Sequence, residues 1–99
     1  MSIKTFASRT PPPETFEFHE AEVEVLAQYE HRRWMSERAA DGWRFGPQRD
    51  NALRTNPDML AWAELTDTAQ DKDRQAVLNI PDLLSTVGLY VVRRPPVDR

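Results

Sequence analysis

The chain has 99 residues, no cysteine and a formal net charge of −3, from 13 basic and 16 acidic side chains. That length holds one domain with a small core. The missing cysteine excludes disulfides, a thiolate nucleophile and cysteine-ligated zinc or iron–sulfur sites, and the acidic balance argues against a dedicated nucleic-acid binder.

No apolar run approaches the ~20 residues of a membrane span. Met1 to Arg9 lacks the apolar core of a signal peptide. The expectation is a soluble, cytoplasmic domain with no membrane insertion. Residues 1–15 read as an extended lead-in, because Pro11, Pro12 and Pro13 cannot enter a helix interior. Phe16-Glu17-Phe18 alternates apolar and charged, which fits either a short strand or an arm that pins two rings to the core.

From Glu20 to Ala40 the spacing of Val23, Leu26, Ala27, Glu30, Trp34 and Arg38 predicts a helix. Glu20, Glu22 and Glu24 lie near its start and Arg32, Arg33 and Arg38 near its end, each suiting the local sign of the macrodipole. Gly42 supplies the stop. Residues 42–55 read as a structured loop in which Trp43 and Phe45 are apolar anchors. Asn56-Pro57 signals a turn or short helix through Met59, Leu60 and Trp62, the last of these a core residue. Thr66 is the N-cap expected for a second helix over 67–79. Pro81 then kinks this helix or separates it from a last one over 82–87, which Gly88 ends. Leu89-Tyr90-Val91-Val92 is rich in strand formers, and residues 94–99 form a tail. The fold class is therefore mainly α, a small α+β domain over 16–93. It has two principal helices, a Trp-rich connecting loop and short terminal β-strands that pair with each other or with another chain.

Catalytic signatures are missing. Glycines at 42, 46 and 88 are too sparse for a phosphate loop, and the two histidines, His19 and His31, are too far apart for a zinc pair. The serines lack a nucleophile context, and Glu30 and His31, an acid–base pair by residue type that leaves a nucleotide-processing enzyme as a third reading, are adjacent on a helix, about 100° apart, and do not face each other. The expectation is no catalytic residue, no metal, no cofactor and no enzyme.

The informative segment is His31, Trp34 and Arg38 on one helical face, followed by Arg49-Asp50 after the Gly46-Pro47 turn. An imidazole, an indole and a guanidinium together suit a flat anionic ligand, by stacking and by forked hydrogen bonds. The same residues also permit a structural reading. In it Trp34 is core, Arg38 pairs with Glu37 or Asp41, His31 faces solvent uncharged, and Arg49-Asp50 ties the loop to a helix end. Asp71-Lys72-Asp73-Arg74 reads as a solvated helix face, with Arg74 reaching the connecting loop.

The run Leu26-Ala27, Glu30-His31, Trp34, Arg38, Gly42-Trp43, Phe45-Gly46, Arg49-Asp50 resembles the ryanodine receptor repeat, the RyR domain. The likeness continues through Asn56-Pro57, Leu60, Trp62, Leu65, Lys72-Asp73-Arg74, Ile80-Pro81, Leu83-Leu84 and Gly88. The resemblance implies a helical module that occurs as tandem pairs in large animal calcium-release channels and as single copies in bacteria and phages. It implies a cleft between paired repeats, associated with adenine-nucleotide-like ligands, towards which the face of His31 and Trp34 looks. His31, Trp34, Arg38 and Arg49 are then the ligand-binding candidates. A homodimer would replace the tandem pair, with Phe16–Phe18 and Leu89–Val92 as contacts and two Trp34 rings converging on one planar ligand. The function expected is a non-catalytic sensing module for a nucleotide-derived small molecule. The alternative is a protein–protein interaction or scaffold module without a small ligand.

Overall fold

Helix α1 runs Glu20–Ala40, as its spacing requires. The Glu22 carboxylate reaches back to accept from the His19 backbone N–H at 2.7 Å, so one of the unpaired first-turn donors is satisfied. At the other end Trp43 N–H donates to the Arg38 carbonyl at 2.9 Å and Gly42 N–H to that of Ala39 at 3.0 Å. These are the two bonds of a Schellman motif, closed by Gly42 at φ +86°. The computed structural model describes residues 16–95. The Pro-rich lead-in expected over 1–15, and the last four residues of the expected tail, lie outside them.

Beyond α1 the chain makes a small sheet that the sequence did not announce. Strand β1 (Arg44–Phe45) pairs in parallel with β2 (Thr55–Asn56), Arg44 opposite Thr55 and Phe45 opposite Asn56. The intervening turn is closed by Asp50, whose carboxylate accepts from Ala52 and Leu53 N–H at 2.9 and 3.0 Å and whose backbone pairs with Thr55. Arg54 takes φ +56°, unusual outside glycine. That turn delivers its guanidinium to the Asp41 carbonyl at 2.6 Å, a cation on the C-terminal end of α1. Asn56-Pro57 opens a turn in which the Asn56 side chain accepts from Asp58 N–H at 2.8 Å. Only a 3-10 turn at Trp62–Glu64 follows.

Helix α2 (Asp67–Leu78) begins where Thr66 predicts, its hydroxyl accepting from Ala69 N–H at 3.1 Å. Asn79 separates it from α3 (Ile80–Ser85), which starts and ends two residues earlier than the reading of Pro81 and Gly88 suggests. Pro81 sits in the first turn of α3, where its missing N–H costs nothing. On α1, Val23, Ala27 and His31 form a buried stripe at four-residue spacing, and Ala69 and Val77 are the buried residues of α2. Val23, Ala27 and Val77 make the central cluster, with Phe18 and Trp62 packed on it. Trp62 thus joins the core, as expected. The Arg74 guanidinium lies 5.5 Å over its ring and forks onto Glu24 of α1 through two bonds of 2.9 Å.

Two expectations are corrected. Phe16–Phe18 and Leu89–Val92 form no strands; the short strands lie in the connecting loop instead. The two terminal stretches do meet, but through Arg93. It donates to the Glu17 carbonyl at 3.0 Å, pairs with Glu22 and covers the Phe16 ring at 5.0 Å. With a guanidinium on the Glu17 carbonyl, the arm is held by side chains and needs no ladder. Phe18, edge-on to Phe16 at 4.9 Å, then anchors it to the core. Phe45 is the other correction. It is half exposed and plugs nothing, because a two-residue strand at the surface leaves both its side chains outward.

Candidate functional site

A pocket of about 240 Å³ opens where α1, the loop and α2 meet. Helix α1 contributes His31 and Trp34, the loop contributes Arg49, Asn56, Asp58 and Leu65, and α2 contributes Ala69, Lys72 and Asp73. Three of the four residues expected to bind a ligand are therefore brought together. Arg38 is not among them. Its guanidinium lies 5.3 Å over the Trp43 ring and braces the turn that leaves α1, rather than pairing with Glu37 or Asp41.

His31 does not face solvent. It is 3% exposed and ties three segments together. Its Nε2 donates to the Leu60 carbonyl at 2.6 Å, and its Nδ1 lies 3.5 Å from a carboxylate oxygen of Asp73. A carbonyl only accepts, so Nε2 carries the hydrogen and Nδ1 is the nitrogen turned to Asp73. The ring also stacks near Trp34, 5.8 Å between centroids at 25°, and lies 6.0 Å from Trp62. His31 therefore shapes the pocket wall, while Trp34, half buried, offers the pocket its indole.

The charged lining divides into two sets. Arg49 and Lys72 have no carboxylate partner among the described residues, although the guanidinium groups of Arg33, Arg54, Arg74 and Arg93 all do. Asp58 and Asp73 supply the opposite sign. Burial pushes the Asp73 carboxyl above its ordinary value; Glu30 and Asp58 push the same way, and His31 and Lys72 oppose them. Glu30 is engaged elsewhere, gripped by Arg33 through bonds of 2.7 and 2.8 Å. That guanidinium holds the Glu30 carboxyl below its usual range.

Asn56, Asp58, Lys72 and Asp73 were missed by the sequence reading. For Asp73 a signal existed: it stands four residues from both Ala69 and Val77, on the stripe of α2 that turns inward. Within the run read as a solvated face, Asp71 and Arg74 do pair with each other at 2.8 Å, but Asp73 is half-buried and turned to His31. Arg49-Asp50 likewise splits, Asp50 closing its own turn and Arg49 lining the pocket.

A helix pair joined by a braced loop, with a mixed-charge pocket at the junction and no helix among the described residues long and apolar enough to cross a membrane, defines a small helical module. The family model of the RyR domain matches residues 16–93, and the chain belongs to that family. A comparison with curated proteins found no match.

Proposed function

We propose that this chain is a non-catalytic, cytoplasmic ligand-sensing module whose pocket takes part of a nucleotide-derived small molecule. Trp34 supplies a stacking surface, and Arg49 and Lys72 supply charge to phosphate. The observation that carries this reading is the convergence at one pocket of an indole with two cations that have no carboxylate partner among the described residues. At about 240 Å³ the pocket falls below the roughly 300 Å³ at which sites for whole drug-sized ligands begin. One chain would then hold a base or a phosphate group, and a second copy closing the mouth would hold the rest, as in a homodimer cleft. The non-catalytic reading is supported by His31, whose two nitrogens are turned to protein groups, and by Glu30, which is bound to Arg33.

The test is titration with ATP, ADP-ribose and cyclic ADP-ribose, followed by tryptophan fluorescence, with solution mass measured in parallel. We expect saturable binding to a dimer and at least tenfold weaker binding in Trp34→Ala, about 1.4 kcal/mol. No response from the wild type, or equal affinity in a folded Trp34→Ala, would sink this reading.

A second reading, a protein–protein interaction module, is favoured by a different observation. A groove of about 510 Å³ lined by Leu26, Tyr29, Ala76, Val77 and Ile80 lies beside the paired Glu30 and Arg33. Tyr29 is 60% exposed. Apolar surface of this kind marks contact sites. Capture of a protein partner that is lost in Tyr29→Glu and kept in Trp34→Ala would favour that reading over the first.

A further inference from the structure

In the pocket wall one histidine has its hydrogen placed by geometry at one nitrogen and a carboxylate standing before the other. His31 Nε2 must carry a hydrogen, because its partner is the Leu60 carbonyl at 2.6 Å. If Nδ1 were bare and Asp73 ionised, a lone pair would face a carboxylate at 3.5 Å in a site where the imidazole is 4% and the carboxylate 20% exposed. An unscreened repulsion of that kind is costly away from water. One proton in the gap removes it, as imidazolium against carboxylate or as imidazole against carboxylic acid.

We propose that the pocket binds its anion together with a proton held between His31 and Asp73, so that occupancy rises as pH falls. This rests on the reading of the pocket as a ligand site. The charged groups facing the pair come from every element around it: Glu30 on α1, Asp58 and Arg49 on the loop, Lys72 on α2. Without a ligand burial and the two carboxylates Glu30 and Asp58 already favour a proton on Asp73, while Lys72 opposes it. The Asp73 carboxyl is raised first of all by burial, and Glu30 and Asp58 add to that against His31 and Lys72. An anion seated against Arg49 and Lys72 cancels the opposing charges and adds its own. It therefore tightens the hold on the gap proton.

By linkage, a complex that holds more protons than the free protein weakens as pH rises through the step at which the free pair gives its proton up. The proton is also structural. Lost from the gap, it leaves α1 and α2 repelling each other in the wall of the pocket that Trp34 and Lys72 also line. The same step would then weaken both charge recognition and pocket shape.

The experiment uses ADP-ribose, whose pyrophosphate is esterified at both ends, has no second ionisation and keeps constant charge across the range tested. NMR of ¹⁵N-labelled imidazole and ¹³C-labelled carboxylate in the ligand-free protein should show Nε2 protonated throughout. It should also show one proton shared by Nδ1 and Asp73, lost in a single step as pH rises. The affinity for ADP-ribose should fall by up to tenfold per pH unit across that same step. In Asp73→Asn, whose amide can donate to Nδ1 without titrating, that slope should vanish. His31→Gln, which can still donate to the Leu60 carbonyl, should lose it too. Binding with no pH dependence, an unchanged slope in both variants, or a bare Nδ1 facing an ionised Asp73 at neutral pH overturns the inference. Absence of ADP-ribose binding at every pH, with the shared proton still visible, overturns the ligand reading itself and with it the coupling.

Discussion

Gly46 offers the sharpest test of how the loop is built. It is buried, and a Cβ added there would stand 2.5 Å from the Cβ of Thr55, 2.9 Å from its Cγ2 and 3.0 Å from its Oγ1. Carbon atoms pack at roughly 3.5–4.0 Å, so Gly46→Ala must drive β1 and β2 apart by about 1 Å. The nearby bond from Gly46 N–H to the Asn56 carbonyl is already long at 3.4 Å and would not survive. Overpacking costs about 1–3 kcal/mol and the lost bond about 1 kcal/mol. The expected destabilisation is therefore about 2–4 kcal/mol, a fall in Tm of at least roughly 8 °C for a domain this size. Urea unfolding followed by tryptophan fluorescence measures it. Thr55→Gly removes all three clashing atoms, at the cost of the Thr55 hydroxyl's bond to the Gln48 carbonyl at 2.9 Å. Combined with Gly46→Ala it should recover at least about 1 kcal/mol relative to the sum of the single changes. Gly46→Ala within about 0.5 kcal/mol of wild type, or additivity in the double variant, would refute the close-approach argument.

Thr66→Ala should cost about 1 kcal/mol by removing the oxygen that accepts from Ala69 N–H, whereas Thr66→Ser should cost far less; both are read from urea midpoints. The Glu22 carboxyl is held down at about 2, first by the Arg93 hydrogen bond and then by the His19 N–H. Its folded value lies below its unfolded one, so the stability it contributes is present above the ordinary value of 4.5 and is lost as pH falls towards 2. Arg93→Ala should accordingly flatten the fall in Tm over that interval. An unchanged acid slope would show that the Arg93 clasp is not formed in solution.

The parts legible in the sequence were those governed by neighbours a few residues apart. The extent of α1, its Gly42 stop and the Thr66 cap follow from helical spacing and from bonds spanning three to five residues, so no knowledge of the rest of the chain is needed. The order of Trp34, Gly42-Trp43, Gly46 and Arg49-Asp50 likewise carried the family, which the match over residues 16–93 then showed. The two glycines illustrate the boundary. Gly42 is required by its own backbone angle, a local matter, whereas Gly46 is required by Thr55 approaching from across the loop.

Of the candidate site, the sequence named Trp34, Arg49 and His31 but mistook how His31 works, included Arg38 and overlooked Asp73. The differences at His31 and Asp73 share one physical origin. Whether a histidine meets water or a carboxylate depends on partners distant along the chain, whereas Arg38 rests on Trp43 only five positions away. His31 and Leu60 are 29 positions apart, Arg74 and Glu24 are 50 apart, and Arg93 and Glu22 are 71 apart. Single-chain periodicity assigns a residue to a face of its helix, but it does not say what covers that face. The sequence by itself thus determined the two long helices, the ends of α1, the start of α2 and the family. Only the packing of α2 against α1 decided that an imidazole and a carboxylate would meet in the wall of a pocket, because that contact exists nowhere until the two helices are brought together.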